Sequence, residues 1–178
     1  GSFAAYDPPR NEHEHHILRR STVPAPLAKD TANEAVAIAK AIAEAFDYVG
    51  VLGVELFVGK DNRIAVNEIA PRVHNSGHWT IEGAATSQFE NHLRAILGLP
   101  LGATTARGHA AMINLIGTLP ARPLVLATPE AHWHDYGKAE RPGRKVGHVT
   151  VLADSAQRRD ATARKLLRAI DPVALRAL

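Results

Sequence analysis

Residues 51–69 constrain this chain more than any other stretch, because they read as a β-hairpin carrying two carboxylates. Val51 to Val58 is rich in strand-forming residues, Gly59-Lys60-Asp61-Asn62 is a turn cluster, and Arg63 to Ile69 returns. Side chains alternate faces along a strand. A two-residue turn at Asp61-Asn62 pairs Glu55 with Glu68 directly. A four-residue loop pairs Glu55 with Val66 and sets Glu68 on the diagonal. Either register brings Glu55 and Glu68 to one face, whereas a three-residue loop does not. Like charges at cross-strand spacing repel, so one carboxylate takes up a proton or a cation holds the two together. Two carboxylates with few other protein ligands suit Mg²⁺, which keeps waters and accepts phosphate oxygens from a nucleotide. The plainer alternative leaves one glutamate solvated on an edge strand.

The hairpin runs straight into Arg72-Val73-His74-Asn75-Ser76-Gly77-His78-Trp79. Loops anchored on a rigid strand often carry function. Arg72 offers a planar fork for carboxylate or phosphate, and His74 can move a proton near neutral pH. The alternative is a structural turn, with Asn75 or Gly77 left-handed and His78 or Trp79 filling the core. A third cluster, Lys138 to His148, sets four cations and two glycines before a strand. It can cradle a phosphate or form a solvated basic turn. His13, His15 and His16 offer no obvious third metal ligand, so an exposed polar run over residues 8–16 is the preferred reading.

The remaining pattern predicts extended segments at 3–7 and 17–23 and a helix over about 31–46. There Thr31 and Glu34 form a capping box, and Val36, Ala39, Ala43 and Phe46 form the buried stripe. A second helix is predicted over about 80–97, with Phe89, Leu93, Ile96 and Leu97 on its apolar face and Gly98 and Pro100 as its stop. Composition shifts near residue 100. Short strands are expected at 110–117, 123–127, 131–136 and 146–153, and a closing helix at about 155–170, stopped by Asp171-Pro172. The organisation is α+β, with one piece over 1–100 and a small β-rich unit over 101–178.

The chain has no cysteine, which removes disulfides, thiolate metal sites and cysteine nucleophiles and fits a reducing cytoplasm. No apolar run approaches the roughly 20 residues that span a bilayer, and no signal-peptide pattern is visible. A net charge of +3, mostly scattered, argues against nucleic acid and membrane partners. Gly1-Ser2-Phe3-Ala4-Ala5-Tyr6 reads as the middle of a strand, so Gly1-Ser2 is a cloning scar or the chain is a piece of a longer protein.

Taken together, Glu55-Leu56-Phe57-Val58, the run from Asn67 to Glu82 containing His74-Asn75-Ser76-Gly77-His78-Trp79-Thr80, and Thr86-Ser87-Gln88-Phe89-Glu90 closely resemble the 5-(carboxyamino)imidazole ribonucleotide synthetases of the ATP-grasp superfamily. Met112 to Gly117 and Arg141 to His148 are similar to that family's C-terminal domain, in the same order. The resemblance implies the C-terminal part of an ATP-grasp domain followed by a small β-rich C-terminal domain. It implies a purine-biosynthetic ligase that uses ATP, Mg²⁺ and bicarbonate to carboxylate 5-aminoimidazole ribonucleotide through carboxyphosphate. It further implies a cytoplasmic homodimer.

Residue by residue, Glu55 and Glu68 match the family's Mg²⁺ ligands, and Asn67 with Glu68 matches its nucleotide-site pair. Arg72, His74, Asn75 and Ser76 match the loop at the bicarbonate and acceptor end. Lys138, Arg144 and Lys145 match a basic segment suited to the ribonucleotide phosphate. Arg10-Asn11-Glu12-His13 stands where the family shows Glu-Asn-x-His, so His13 matches the nucleotide-site histidine, with arginine replacing the glutamate. The family's N-terminal half and the glycine-rich grip on ATP are missing, so this piece alone is expected to be inactive. Two other readings remain. One is a different ATP-grasp ligase, of glycinamide ribonucleotide or D-alanine type. The other is a non-catalytic dimerisation or binding fragment.

Overall fold

The computed structural model describes residues 1–170. In chain order its elements are β1 (Arg10–Glu14), β2 (Ile17–Val23), α1 (Lys29–Ala45), β3 (Gly53–Val58), β4 (Ile64–Ala70), α2 (Thr80–Gly83), α3 (Gln88–Ile96), β5 (His109–Ile116), α4 (Arg122–Leu126), β6 (Ala131–Asp135), β7 (Lys145–Ala153) and α5 (Ala156–Ile170). This is an α+β chain, as the sequence pattern predicts. The contacts form two compact units: residues 1–9 with 24–107, and residues 10–23 with 108 onward. The sequence division near residue 100 therefore misplaces 10–23, whose strands hydrogen-bond into the second sheet.

In the first unit, β3 and β4 form a two-stranded antiparallel sheet. Phe57, Val66 and Ile69 on this hairpin are exposed. Helix α1 starts earlier than its capping signal. Ala28 occupies the N-cap with no side-chain bond, and Thr31 is buried inside the first turn beside Ala35. Inward packing of the Thr31–Ala35 face wins over the cap, and Phe46 at the other end is left exposed. Residues 3–7 join no strand among the described residues. Tyr6 is instead held by its hydroxyl, which donates to the carbonyl of Thr86 and accepts from Asn91 Nδ2.

The helix expected over 80–97 is broken. The amides of Ala85 and Thr86 donate to the carbonyls of Thr105 and Ala103, which draws the chain into an extended link between α2 and α3. Ser87 then caps α3 by accepting from the Glu90 amide, with Glu90 in the capping-box position. The apolar face expected at Phe89, Leu93, Ile96 and Leu97 points outward. The inward residues are Gln88 and Asn91, each committed to main-chain groups of a neighbouring loop.

In the second unit, five antiparallel strands run in the order β1-β2-β5-β7-β6. The polar run over 8–16 is thus a strand and a turn. His15 and His16, both at positive φ, form the two-residue link that pairs Glu14 with Ile17. The strand expected at 123–127 is the short helix α4, with Pro123 in its first turn. Ala111, Ile113, Leu115, Val146, Val149 and Val151 pack with Val125 and with Ala163, Leu166 and Leu167 of α5 as the core. Arg159 is buried there but satisfied: its guanidinium donates to the Val23 carbonyl at 2.9 Å and to Asp160 at 2.9 Å. The stop at Asp171-Pro172 lies outside the described residues. No helix among those residues is long and apolar enough to cross a membrane.

Candidate functional site

The hairpin joins its two carboxylates by a route that the simple register argument misses. Val58 pairs with Ile64, and the amide of Gly59 donates to the Arg63 carbonyl, leaving Lys60, Asp61 and Asn62 in a three-residue link. Asn62 takes the left-handed conformation such a link requires, at φ 60°. That odd-length turn would set Glu55 and Glu68 on opposite faces. A bulge between Glu55 and Leu56 corrects it: Leu56 pairs with Val66, Glu55 pairs with Glu68, and Asn67 is the extra residue. A bulge adds one residue to one strand and re-aims the side chains around it. Asn67 Nδ2 lies 3.4 Å from Glu55 Oε2 and donates to it.

His74 closes the group. Its Nε2 lies 3.9 Å from Glu55 Oε1 and 3.7 Å from Glu68 Oε1, and its side chain is only 11% exposed. Among the described residues, Glu55, Glu68 and His74 are close enough to share a metal ion, with one ligand atom of each within 4.8 Å of the others. Oxygen donors of this kind suit a hard divalent cation. The other ring nitrogen of His74 is 2.8 Å from Ser76 Oγ and accepts from the Ser76 amide at 3.4 Å. With Nδ1 accepting, the neutral ring carries its proton on Nε2, facing the carboxylates. Gly53 makes room for this placement, since a Cβ on it would meet His74 Cβ at 2.8 Å.

Asn75 opens a single 3₁₀ turn, Asn75–Gly77, directly after His74. Arg72 sits ahead of it, exposed, with its guanidinium donating to the Val73 carbonyl at 3.1 Å. The residues that the sequence singles out at 55, 67, 68, 72, 74, 75 and 76 thus belong to one hairpin and the loop that leaves it. Trp79 is buried, as the structural-turn alternative expects, and meets Tyr6 edge-on at 6.3 Å between ring centroids. The sequence reading missed the buried amide of Gln88, which bonds to the loop at His74 and approaches His78. Its signal was the position directly after the cap Ser87, where a polar residue had no evident surface role.

The basic cluster belongs to the second unit, where it links β6 to β7. Arg141-Pro142-Gly143-Arg144 is a tight turn, with the Arg144 amide donating to the Arg141 carbonyl at 3.1 Å and Gly143 at φ 74°. Proline second and a left-handed glycine third define a type II turn. Arg144 Nη1 reaches the Ala139 carbonyl at 3.4 Å, and Lys145 opens β7 opposite Ile116. Lys138 Nζ sits 5.1 Å from the centroid of the Tyr136 ring. Burial pushes the Tyr136 hydroxyl up to about 12, so it stays protonated beside His148 Nδ1 at 2.7 Å. His13, on β1, is exposed and belongs to this second unit.

The description "ATP-grasp domain" matches residues 1–89 and "Phosphoribosylaminoimidazole carboxylase C-terminal domain" matches residues 110–162. The chain belongs to the ATP-grasp family. Within it, a Brucella melitensis protein named N5-carboxyaminoimidazole ribonucleotide synthase is 51% identical over 154 residues, covering 85% of this chain and 42% of the relative. The crystal structure of N5-carboxyaminoimidazole ribonucleotide synthetase from Thermus thermophilus is similar at a TM-score of 0.92 and 52% identity. That match covers 96% of this chain and 48% of the other. An Aspergillus clavatus N5-carboxyaminoimidazole synthase, solved with ADP and 5-aminoimidazole ribonucleotide, matches at a TM-score of 0.88 and 38% identity, over 93% of this chain and 46% of that one. The chain spans about two-fifths of the length of the curated relatives it matches.

Proposed function

We propose that, at the length of its relatives, this protein is an ATP-dependent carbon–nitrogen ligase that carboxylates 5-aminoimidazole ribonucleotide. Bicarbonate oxygen attacks the γ-phosphorus of ATP and ADP leaves. The exocyclic amine then attacks the carboxyl carbon of carboxyphosphate, the carbon–oxygen bond to phosphate breaks, and the amine loses a proton. The observation that carries this reading is the bulge at Asn67, which gathers Glu55, Asn67, Glu68 and His74 at the root of the Arg72–Ser76 loop.

Glu55 and Glu68 hold Mg²⁺, which when bound neutralises charge on the transferring phosphoryl group. Asn67 fixes the Glu55 carboxylate. Arg72, whose guanidinium is exposed, steadies the anionic bicarbonate and carboxyphosphate. His74 donates its Nε2–H to a phosphoryl oxygen of carboxyphosphate as the carbon–oxygen bond breaks, and the departing phosphate takes the proton that the amine loses. Ser76 holds the opposite ring nitrogen, and Asn75 shapes the turn that presents them. To Lys138, Arg144 and Lys145 we assign the ribonucleotide phosphate, and to His13 a contact with the nucleotide, both on the family resemblance alone. The reading includes a cytoplasmic homodimer, for which the exposed Leu93, Ile96 and Leu97 supply apolar surface. The chain as given is not expected to turn over by itself.

The test is ADP release by the protein at the full length of its relatives. Release that requires both bicarbonate and 5-aminoimidazole ribonucleotide supports the reading. Release independent of the ribonucleotide, or coupled to a different amine or amino acid, overturns it in favour of another ATP-grasp ligase. Absence of turnover with retained nucleotide binding favours the non-catalytic alternative.

A further inference from the structure

Gln88 opens α3, yet it is only 2% exposed. Its carboxamide lies against one residue of the site loop. Oε1 accepts from the His74 amide at 2.9 Å, and Nε2 donates to the His74 carbonyl at 2.7 Å. His74 is extended, at φ −120° and ψ 148°. In extended backbone the N–H and C=O of one residue point the same way, as they do toward a partner strand. The carboxamide therefore replaces a strand edge, pairing with both groups of one residue and fixing the two dihedrals that aim its Cβ.

The same side chain reaches further. Nε2 is 2.9 Å from His78 Nδ1. An amide nitrogen only donates, so His78 Nδ1 accepts and its ring proton lies on Nε2. The Gln88 amide donates to Thr80 Oγ1 at 2.9 Å, and that hydroxyl donates to the Gly77 carbonyl at 2.6 Å. Gly77 passes so close that a Cβ there would meet Gln88 Oε1 at 2.7 Å. Residues 74, 77, 78 and 80 are thus tied to one buried residue.

We propose that Gln88 is a positioning residue that aims the His74 imidazole at Glu55 and Glu68 by clamping both main-chain groups of His74. It acts through His74 and not on substrate. This rests on the carboxylating role proposed for His74, and the test separates the two.

The experiment is a kinetic cycle in the full-length protein with Gln88→Met, His74→Ala and the double variant, each checked for thermal unfolding and ATP affinity. Methionine keeps the length of the side chain and removes every hydrogen bond of the carboxamide, leaving the main-chain bond to Thr80 in place. The expected result is a fall in kcat of about 10²-fold for Gln88→Met, the size of a misplaced catalytic group, with ATP affinity unchanged. In the His74→Ala background the same substitution should cost less than about twofold, because the group it aims is gone. Gln88→Glu keeps only the acceptor for the His74 amide and should fall between Met and wild type.

A fall in kcat that persists undiminished without His74 overturns the proposal and makes Gln88 a general structural residue. So does wild-type kcat in Gln88→Met. If Gln88→Met fails to fold, the Gln88→Glu cycle decides by the same criterion. If the wild-type protein carboxylates no ribonucleotide, the functional reading itself fails.

Discussion

Gly53→Ala places one methyl group where the site has least room. Its Cβ would stand 2.8 Å from His74 Cβ and 3.0 Å from His74 Cγ. Carbon atoms rest at about 3.5–4.0 Å, so His74 or strand β3 must retreat by about 1 Å. The Glu55 carboxylate is two residues further along the same strand, and the imidazole is held to it at only 3.9 Å. A displacement of that size at a positioned catalytic group costs on the order of 10²-fold in rate. Overpacking of this kind costs about 1–3 kcal/mol of stability.

The assay is steady-state carboxylation by the full-length protein, with thermal unfolding and equilibrium ATP binding measured alongside. The account expects kcat to fall about 10²-fold with a melting shift of a few degrees and ATP affinity retained. A variant that keeps kcat within about twofold of wild type would refute the argument that the placement of His74 against the carboxylates matters.

Thr80→Val keeps the shape of a fully buried residue but leaves the Gly77 carbonyl and the Gln88 amide without their partner. Urea unfolding should show a loss of about 1–3 kcal/mol for each group left unpaired. Asp160 is held below the usual carboxylate range chiefly by its hydrogen bond from Arg159. Its folded-state value is depressed, so its contribution to stability is present above the unfolded value near about 3.9 and fades as pH falls through the folded value. The urea midpoints of wild type and Asp160→Asn should therefore differ by a constant amount near neutrality and converge in acid. Arg144→Ala should raise KM for the ribonucleotide and leave kcat nearly intact, the signature of lost ground-state and transition-state binding in equal measure.

The candidate site was largely legible because its parts are local. Glu55, Asn67, Glu68 and the loop after them lie within one hairpin, where alternation and turn chemistry speak directly. Even there, strand alternation alone asks for an even-length turn, while the protein uses a three-residue link and regains the shared face with a bulge at Asn67. No pattern of apolar residues marks that bulge.

What was not legible depends on distant partners. The polar run at 8–16 looks like a loop until β2 is seen paired with β5, Val23 opposite Ala110 and Arg20 opposite Ile113. Strand β1 forms because β2 offers it an edge. Helix α3 turns its polar residues inward because Gln88 and Asn91 hold the main chain of His74 and Gly102, a preference that outweighs its apolar stripe. Periodicity reports which side of a helix is greasy, and here the buried hydrogen bonds decide which side is inside.

The most direct test of the central claim uses bicarbonate labelled with ¹⁸O in a single turnover of the full-length protein with ATP and 5-aminoimidazole ribonucleotide. The account predicts that one bicarbonate oxygen appears in the inorganic phosphate released, because that oxygen bridges carbon and phosphorus in carboxyphosphate. Phosphate free of the label, with carboxylated product still formed, would contradict it.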